Sequence, residues 1–214
     1  GVDRASIEYP QVRAGLILMM DRTFDLRLNE IIVEKAIRWA ARGIVGVDIA
    51  GPRPNGGRYD YTQIESIVET ARDAGLGVTI HVGEEGGEMG REEIGEVVER
   101  LRPDRIGHGI LAAGEPELMG AIRDLGITLE ICPTSNLLTK ALADEDAVRE
   151  TIRSFVEHDV PFTIATDGPE MMRTHLRDEL GLLLRIGALD EEELREANAR
   201  GHAAAFRRRV GVPA

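Results

Sequence analysis

The chain has 214 residues, 43% hydrophobic and 30% charged, a balance that supports a full globular core rather than a disordered segment. A net charge of -12 argues against nucleic acid or an anionic membrane surface as the main partner, because both demand basic patches. One cysteine, Cys132, excludes an internal disulfide and Cys-rich zinc modules, and no apolar run approaches the ~20 residues of a bilayer span. No signal-peptide pattern opens the chain, so the cytoplasm is the expected location.

Residues 1–13 carry no clear pattern. Ala14 to Met20 reads as a buried strand ending at Asp21-Arg22, and apolar residues then recur at helical spacing from Asn29 to Arg42, with Gly43 as a natural stop. Ile44 to Ile49 is a second strand, followed by Ala50-Gly51 and a Pro/Gly-rich loop. Tyr61 to Ala74 is helical, and the run Leu76-Gly77-Val78-Thr79-Ile80-His81-Val82-Gly83-Glu84 is a strand that ends on a histidine and turns at a glycine to present a glutamate. The same rhythm continues through a helix from Arg91 to Leu101, a short strand at Asp104 to Gly109, and a helix from Glu115 to Leu125. A strand from Ile127 to Cys132, a helix from Asp146 to His158 and a strand from Pro161 to Thr166 follow, with helices about Thr174 to Ile186 and Glu191 to Arg208 at the end.

That makes six strand-helix units with no linker or shift in composition, so residues 1–214 are expected to be a single domain. Each strand reads as apolar throughout, the mark of a parallel sheet covered by helices. A closed (β/α)8 barrel needs eight units and typically about 250 residues. The chain fits a TIM-type α/β barrel with about six of its eight units present, or an open doubly wound sheet. An open sheet gathers its site at one switch point, whereas here nearly every strand ends on a residue able to do chemistry, which favours the barrel. The two missing units would lie at the amino end.

Singly, each of these residues has an ordinary explanation. His81 suits a hydrogen-bonded core histidine, Glu84 a solvated loop carboxylate beside Glu85 and Glu88, and Asp167 a cap for the next helix. His108 lies between Gly107 and Gly109, where the backbone can turn tightly and another group can approach closely. Cys132 suits a small buried hydrophobe, and His158, His175 and His202 fall in helices as surface or capping residues. Jointly, His81 and Asp167 supply one nitrogen and one oxygen donor of the kind zinc takes, Glu84 can carry a proton, and His108 can orient or stabilise a hydroxide. Two donors are fewer than the three usual at catalytic zinc, and no third has comparable placement.

The series Thr79-Ile80-His81-Val82-Gly83-Glu84, Arg105-Ile106-Gly107-His108-Gly109, Cys132-Pro133-Thr134-Ser135-Asn136 and Thr166-Asp167-Gly168-Pro169 resembles the adenosine deaminase family of metal-dependent amidohydrolases in order and approximate spacing. Val47-Asp48-Ile49-Ala50-Gly51 resembles that family's purine-contacting segment. The resemblance implies a TIM barrel with one Zn2+, His81 and Asp167 as metal ligands, Glu84 as proton shuttle, His108 positioning the attacking hydroxide, and Gly51 contacting the purine through its backbone. It implies hydrolytic deamination of a small-molecule 6-aminopurine nucleoside, adenosine or a close relative, to the 6-oxopurine and ammonia. Two departures stand out. The family's first strand carries a His-x-His pair that is absent here, so the chain is expected to be a carboxyl-terminal portion whose two further ligands come from an amino-terminal segment. Gly168 stands where many adenosine deaminases have an aspartate facing purine N7, so a modified or larger substrate becomes plausible. The alternatives are a catalytically inactive relative that binds a nucleoside or serves as a scaffold, and an amidohydrolase of another substrate class. The oligomeric state stays open, a homo-oligomer included.

Overall fold

The computed structural model describes residues 2–12 and 14–206. Six strands form one parallel sheet in chain order: β1 (Leu16–Asp21), β2 (Ile44–Ala50), β3 (Gly77–Val82), β4 (Arg105–His108), β5 (Thr128–Ile131) and β6 (Phe162–Ile164). Helices connect them: α1 (Val2–Glu8) precedes β1, α2 (Leu26–Trp39) joins β1 to β2, and α3 (Glu65–Asp73), α4 (Gly87–Glu96) and α5 (Pro116–Asp124) make the next three crossovers. Between β5 and β6 lie α6 (Pro133–Leu138) and α7 (Glu145–Glu157), and β6 is followed by α8 (Pro169–Met172), α9 (Leu176–Arg185) and α10 (Glu191–Ala204). Sequential parallel pairing without a strand reversal is barrel order, not that of an open sheet with a switch point.

The helix boundaries follow from their caps. Asp25, Asp144 and Asp190 each accept a backbone N–H in the first turn of α2, α7 and α10, an interaction of about 1 kcal/mol apiece. These caps place α2 and α7 slightly earlier than their apolar periodicity indicates. Three short helices escape the periodicity altogether. α1 lies in the stretch without pattern, and α6 and α8 each begin on a proline, separated by one residue from the end of β5 and by four from the end of β6, where proline's missing N–H is harmless. The helix expected to end at Leu101 closes through a π turn at Val97–Leu101, and the last two residues of the final predicted helix lie outside the described residues.

The expectation of strands apolar on both faces holds for β1 up to Asp21 and is corrected by the structure for β2 to β5. Val47, Ile49, Val78, Ile80, Ile106, Leu129 and Ile131 join a core with the helices, where they pack with Val33, Ile67, Ile94, Met119 and Ile152. The alternate positions are small or polar: Gly46 and Asp48, Gly77, Thr79 and His81, Arg105 and Gly107, Thr128 and Glu130. On that face Thr79 donates to Glu130 at 2.6 Å, two strands away, and Arg105 Nε lies 3.1 Å from Glu130. The inner side of the curled sheet is therefore a polar stack, held by its own ion pairs and hydrogen bonds. Its amino end is filled by Phe206, whose ring lies 3.7 Å from the Arg105 guanidinium and occupies the space where Gly46 and Gly77 lack a Cβ.

Candidate active site

At the carboxyl ends of the strands, β3 and β4 pair His81 with Gly107 and Val82 with His108. A Cβ at Gly107 would sit 2.8 Å from the His81 ring, so the glycine makes room for that imidazole. Nδ1 of His81 lies 3.0 and 2.9 Å from the two oxygens of Asp48, on β2. Donation from Nδ1 to a carboxylate fixes the ring orientation and leaves Nε2 as the free, basic nitrogen, the arrangement found behind metal-bound histidines. Burial alone would lower the His81 pKa, but the hydrogen bond and charge of Asp48, with Glu130 adding, raise it above the ordinary imidazole value.

Gly83, with φ of +71°, turns the chain after β3, in a conformation that costs glycine little, and Glu84 follows. Glu84 Oε1 accepts from the Thr139 hydroxyl at 3.1 Å, and Oε2 lies 3.5 Å from Nε2 of His108. The His108 side chain is 3% exposed, and its Nδ1 accepts from the Asn136 amide at 2.9 Å. A neutral His108 ring with Nδ1 as acceptor carries its proton on Nε2, facing Glu84. Burial lowers the His108 pKa below the usual range, with the charge of Glu84 acting in the opposite sense. The two imidazoles meet edge to face, 5.4 Å between centroids.

Gly51, His81, Glu84 and His108 line one small cavity of about 70 Å³, together with Arg22 and Arg53. Gly51 has φ of +92°, its carbonyl accepts from the Arg22 guanidinium, and a Cβ would press on the Asp21 carboxylate. Asp167 does not line this cavity. It is exposed, at φ +57°, and accepts from the Ser135 hydroxyl at 2.8 Å, while its charge reaches His108. Its carboxylate does not cap α8, whose N-cap is Gly168 without a side-chain bond.

The bland explanations hold elsewhere. Cys132 is buried, and burial pushes its thiol far above the ordinary range. His175 caps α9, the His158 ring contacts the Ser154 carbonyl at 2.8 Å, and His202 lies in α10. The sequence did not single out Asp48, Asn136, Ser135 and Thr139 as partners of the site. Asn136, Ser135 and Thr139 follow from α6, which the pairing of a strand end with Pro133 could have signalled as a helix start.

A helix-covered parallel sheet of barrel order, with histidines and carboxylates at its carboxyl rim, defines the TIM-type α/β class. Within that class the chain belongs to the adenosine deaminase family, whose model, described as adenosine deaminase, matches residues 1–209. The aminodeoxyfutalosine deaminase of Acidothermus cellulolyticus is 34% identical, over 87% of this chain and 52% of the relative. The adenine deaminase of Rhizobium rhizogenes is 33% identical, over 95% and 61%. The crystal structure of the Arabidopsis N6-mAMP deaminase superposes with a TM-score of 0.78 at 26% identity, covering 91% of this chain and 55% of that one. The chain thus spans between half and two thirds of the length of these relatives. Among the described residues no helix is long and apolar enough to cross a membrane.

Two donors, His81 and Asp167, match the nitrogen and oxygen chemistry of zinc but do not complete a catalytic site, which usually takes three protein ligands. No group of three or more His, Cys, Asp or Glu among the described residues is arranged to hold a metal ion. The described residues therefore fit part of a metal site.

Proposed function

We propose that this chain provides part of a hydrolytic deaminase that converts a 6-aminopurine nucleoside or close relative to the 6-oxopurine and ammonia. The observation that carries the proposal is the contact between Glu84 Oε2 and His108 Nε2, 3.5 Å apart beside a His81 ring held by Asp48. A binding protein has no use for a carboxylate and an imidazole converging on one small cavity, the first able to carry a proton and the second to orient a water, whereas a hydrolase does. Family membership and the names of the relatives, which act on aminodeoxyfutalosine, adenine and N6-mAMP, support an adenine-type substrate.

In this proposal the Gly51 turn meets the purine edge through its backbone. Glu84 gives a proton to ring N1 and takes one from the water that adds at C6. His108, kept neutral by burial with its proton on Nε2, donates to the adding oxygen and holds it in line with C6. Glu84 then passes its proton to the amine, the C6–N bond breaks and ammonia leaves, and as the C6 carbonyl forms the hydroxyl proton returns to Glu84. His81, oriented by Asp48, and Asp167, oriented by Ser135, would hold Zn2+, whose part when bound is to bring the pKa of water down to about 7. The remaining donors would come from residues outside this chain, in keeping with its partial coverage of the relatives.

The test is ammonia release by the natural full-length protein from a panel of adenine, adenosine, N6-substituted adenosines and their 5′-nucleotides, with metal content measured alongside. Turnover of a member of this panel is the expected outcome. Purine binding without ammonia release from any of them would favour the inactive, ligand-binding alternative.

A further inference from the structure

A buried ion pair joins the two loops that carry the proposed chemistry. Arg53 stands two residues after Gly51, in the connection from β2 to α3, and Glu93 lies on α4, just beyond the Glu84 loop. Their side chains are 11% and 2% exposed. Arg53 Nε lies 3.3 and 3.1 Å from the two Glu93 oxygens, and Nη2 lies 2.6 Å from Oε2, which makes the contact a fork. The same Nη2 donates to the Glu85 carbonyl at 2.9 Å, and Glu93 also accepts the Tyr59 N–H at 3.2 Å. Gly86 makes room for this, since a Cβ there would lie 2.3 Å from the Arg53 guanidinium. Both side chains line the cavity that holds Gly51, Glu84 and His108.

Stability is a weak reason to build such a pair. Removing two charges from water is costly, and apolar residues of similar volume often serve a core as well or better. What the fork supplies is geometry, because its planar donors fix the distance and angle between two loops that have no strand pairing of their own. We propose that Arg53 and Glu93 form a positioning strap, which holds the Gly51 turn and the Glu84 loop at a set separation so that the Glu84 carboxylate meets His108 and the substrate together. The strap rests on the deaminase proposal above; its residues act through Glu84 and Gly51 and touch no reacting atom.

The experiment uses the natural full-length protein with Arg53→Met and Glu93→Leu combined, Arg53→Lys alone, and Glu93→Gln alone. The apolar pair should keep the melting temperature within a few degrees yet lose kcat roughly 10- to 100-fold, as a displacement of about 1 Å can do, while KM moves about threefold or less. Arg53→Lys retains the charge and loses the fork, so kcat should fall by about tenfold. The charge-swapped protein, Arg53→Glu with Glu93→Arg, should regain part of the loss. Unchanged kcat in the apolar pair, or in Arg53→Lys should the pair fail to fold, overturns the strap. Amide exchange gives a readout that needs no turnover. Glu93→Gln should speed exchange in residues 53–60 and 83–90 together, and acceleration confined to the α4 side would overturn the coupling. A wild-type protein that deaminates no 6-aminopurine sinks the functional proposal, and the exchange result then decides the strap by itself.

Discussion

At the amino ends of β2 and β3, Gly46 and Gly77 leave a hollow that Phe206 fills, and above it Glu130 accepts from Thr79 and pairs by charge with Arg105, which donates to the Ala204 carbonyl. At the carboxyl ends of neighbouring strands, His81 has one ring nitrogen engaged and one free, Glu84 sits 3.5 Å from His108, and Asp167 is exposed. The lower end spends its polar groups on each other; the upper end keeps them for a visitor. Conserving the first should protect stability and conserving the second should protect chemistry, which is the division of labour expected of a TIM-type barrel. Substitutions at the two ends should thus separate melting temperature from turnover.

The largest effect is expected at the upper end. Glu84→Gln in the full-length protein keeps shape and removes the proton carrier, so turnover should fall by at least the roughly 10²–10⁴-fold of general acid–base catalysis. Nucleoside binding and melting temperature should change little, and near-normal ammonia release would remove Glu84 from the mechanism. Phe206→Ala should do the reverse. It empties the lower hollow and costs roughly 3 kcal/mol, the low end for such a change because the ring is only partly buried, with turnover per folded molecule retained. A denaturant titration beside an activity assay reads both, and a parallel loss of kcat would blur the distinction between the ends.

Asp48→Asn probes the seam between them, since Asp48 lies on the inner face yet serves His81. Loss of such an outer partner typically lowers metal affinity by about 10- to 100-fold. Competition with a chromophoric chelator measures it, and unaltered affinity would show that His81 is not a metal ligand oriented by this carboxylate. The smallest effect is expected for Gly168→Asp. A side chain there meets only the flexible end of Met171, at 3.0 Å from the new Cβ, so the change should be accommodated. If position 168 faces purine N7, preference for unmodified adenosine should rise by about tenfold, the value of one modest charged hydrogen bond. An unchanged ratio of kcat/KM across substituted adenosines would place residue 168 elsewhere.

Much of this architecture was legible because β-branched runs and glycine stops are local signals: all six strands and the seven longest helices sit close to their expected bounds. The rim residues were visible for the same reason, each standing at a strand end, and Gly107 did mark a close approach, that of the His81 ring. The partners were not visible. Asp48 reaches His81 only through the register of β2 on β3, and Asn136 reaches His108 from α6, a six-residue helix too short to show periodicity. The inner polar stack was hidden because Thr79, Arg105 and Glu130 each look like a lone interruption of an apolar strand until the curled sheet brings them together.

His108 and Asp167 both hold left-handed backbone, with φ of 60° and 57°, a conformation that costs a side-chain-bearing residue about 1–2 kcal/mol. At buried His108 glycine would empty the ring's place and orphan the Asn136 amide, but at exposed Asp167 it would relax the strain at little cost. A directed-evolution campaign that screened this protein for heat resistance alone would therefore find a downhill step at Asp167, gaining thermal tolerance as it discarded a residue proposed to do the work.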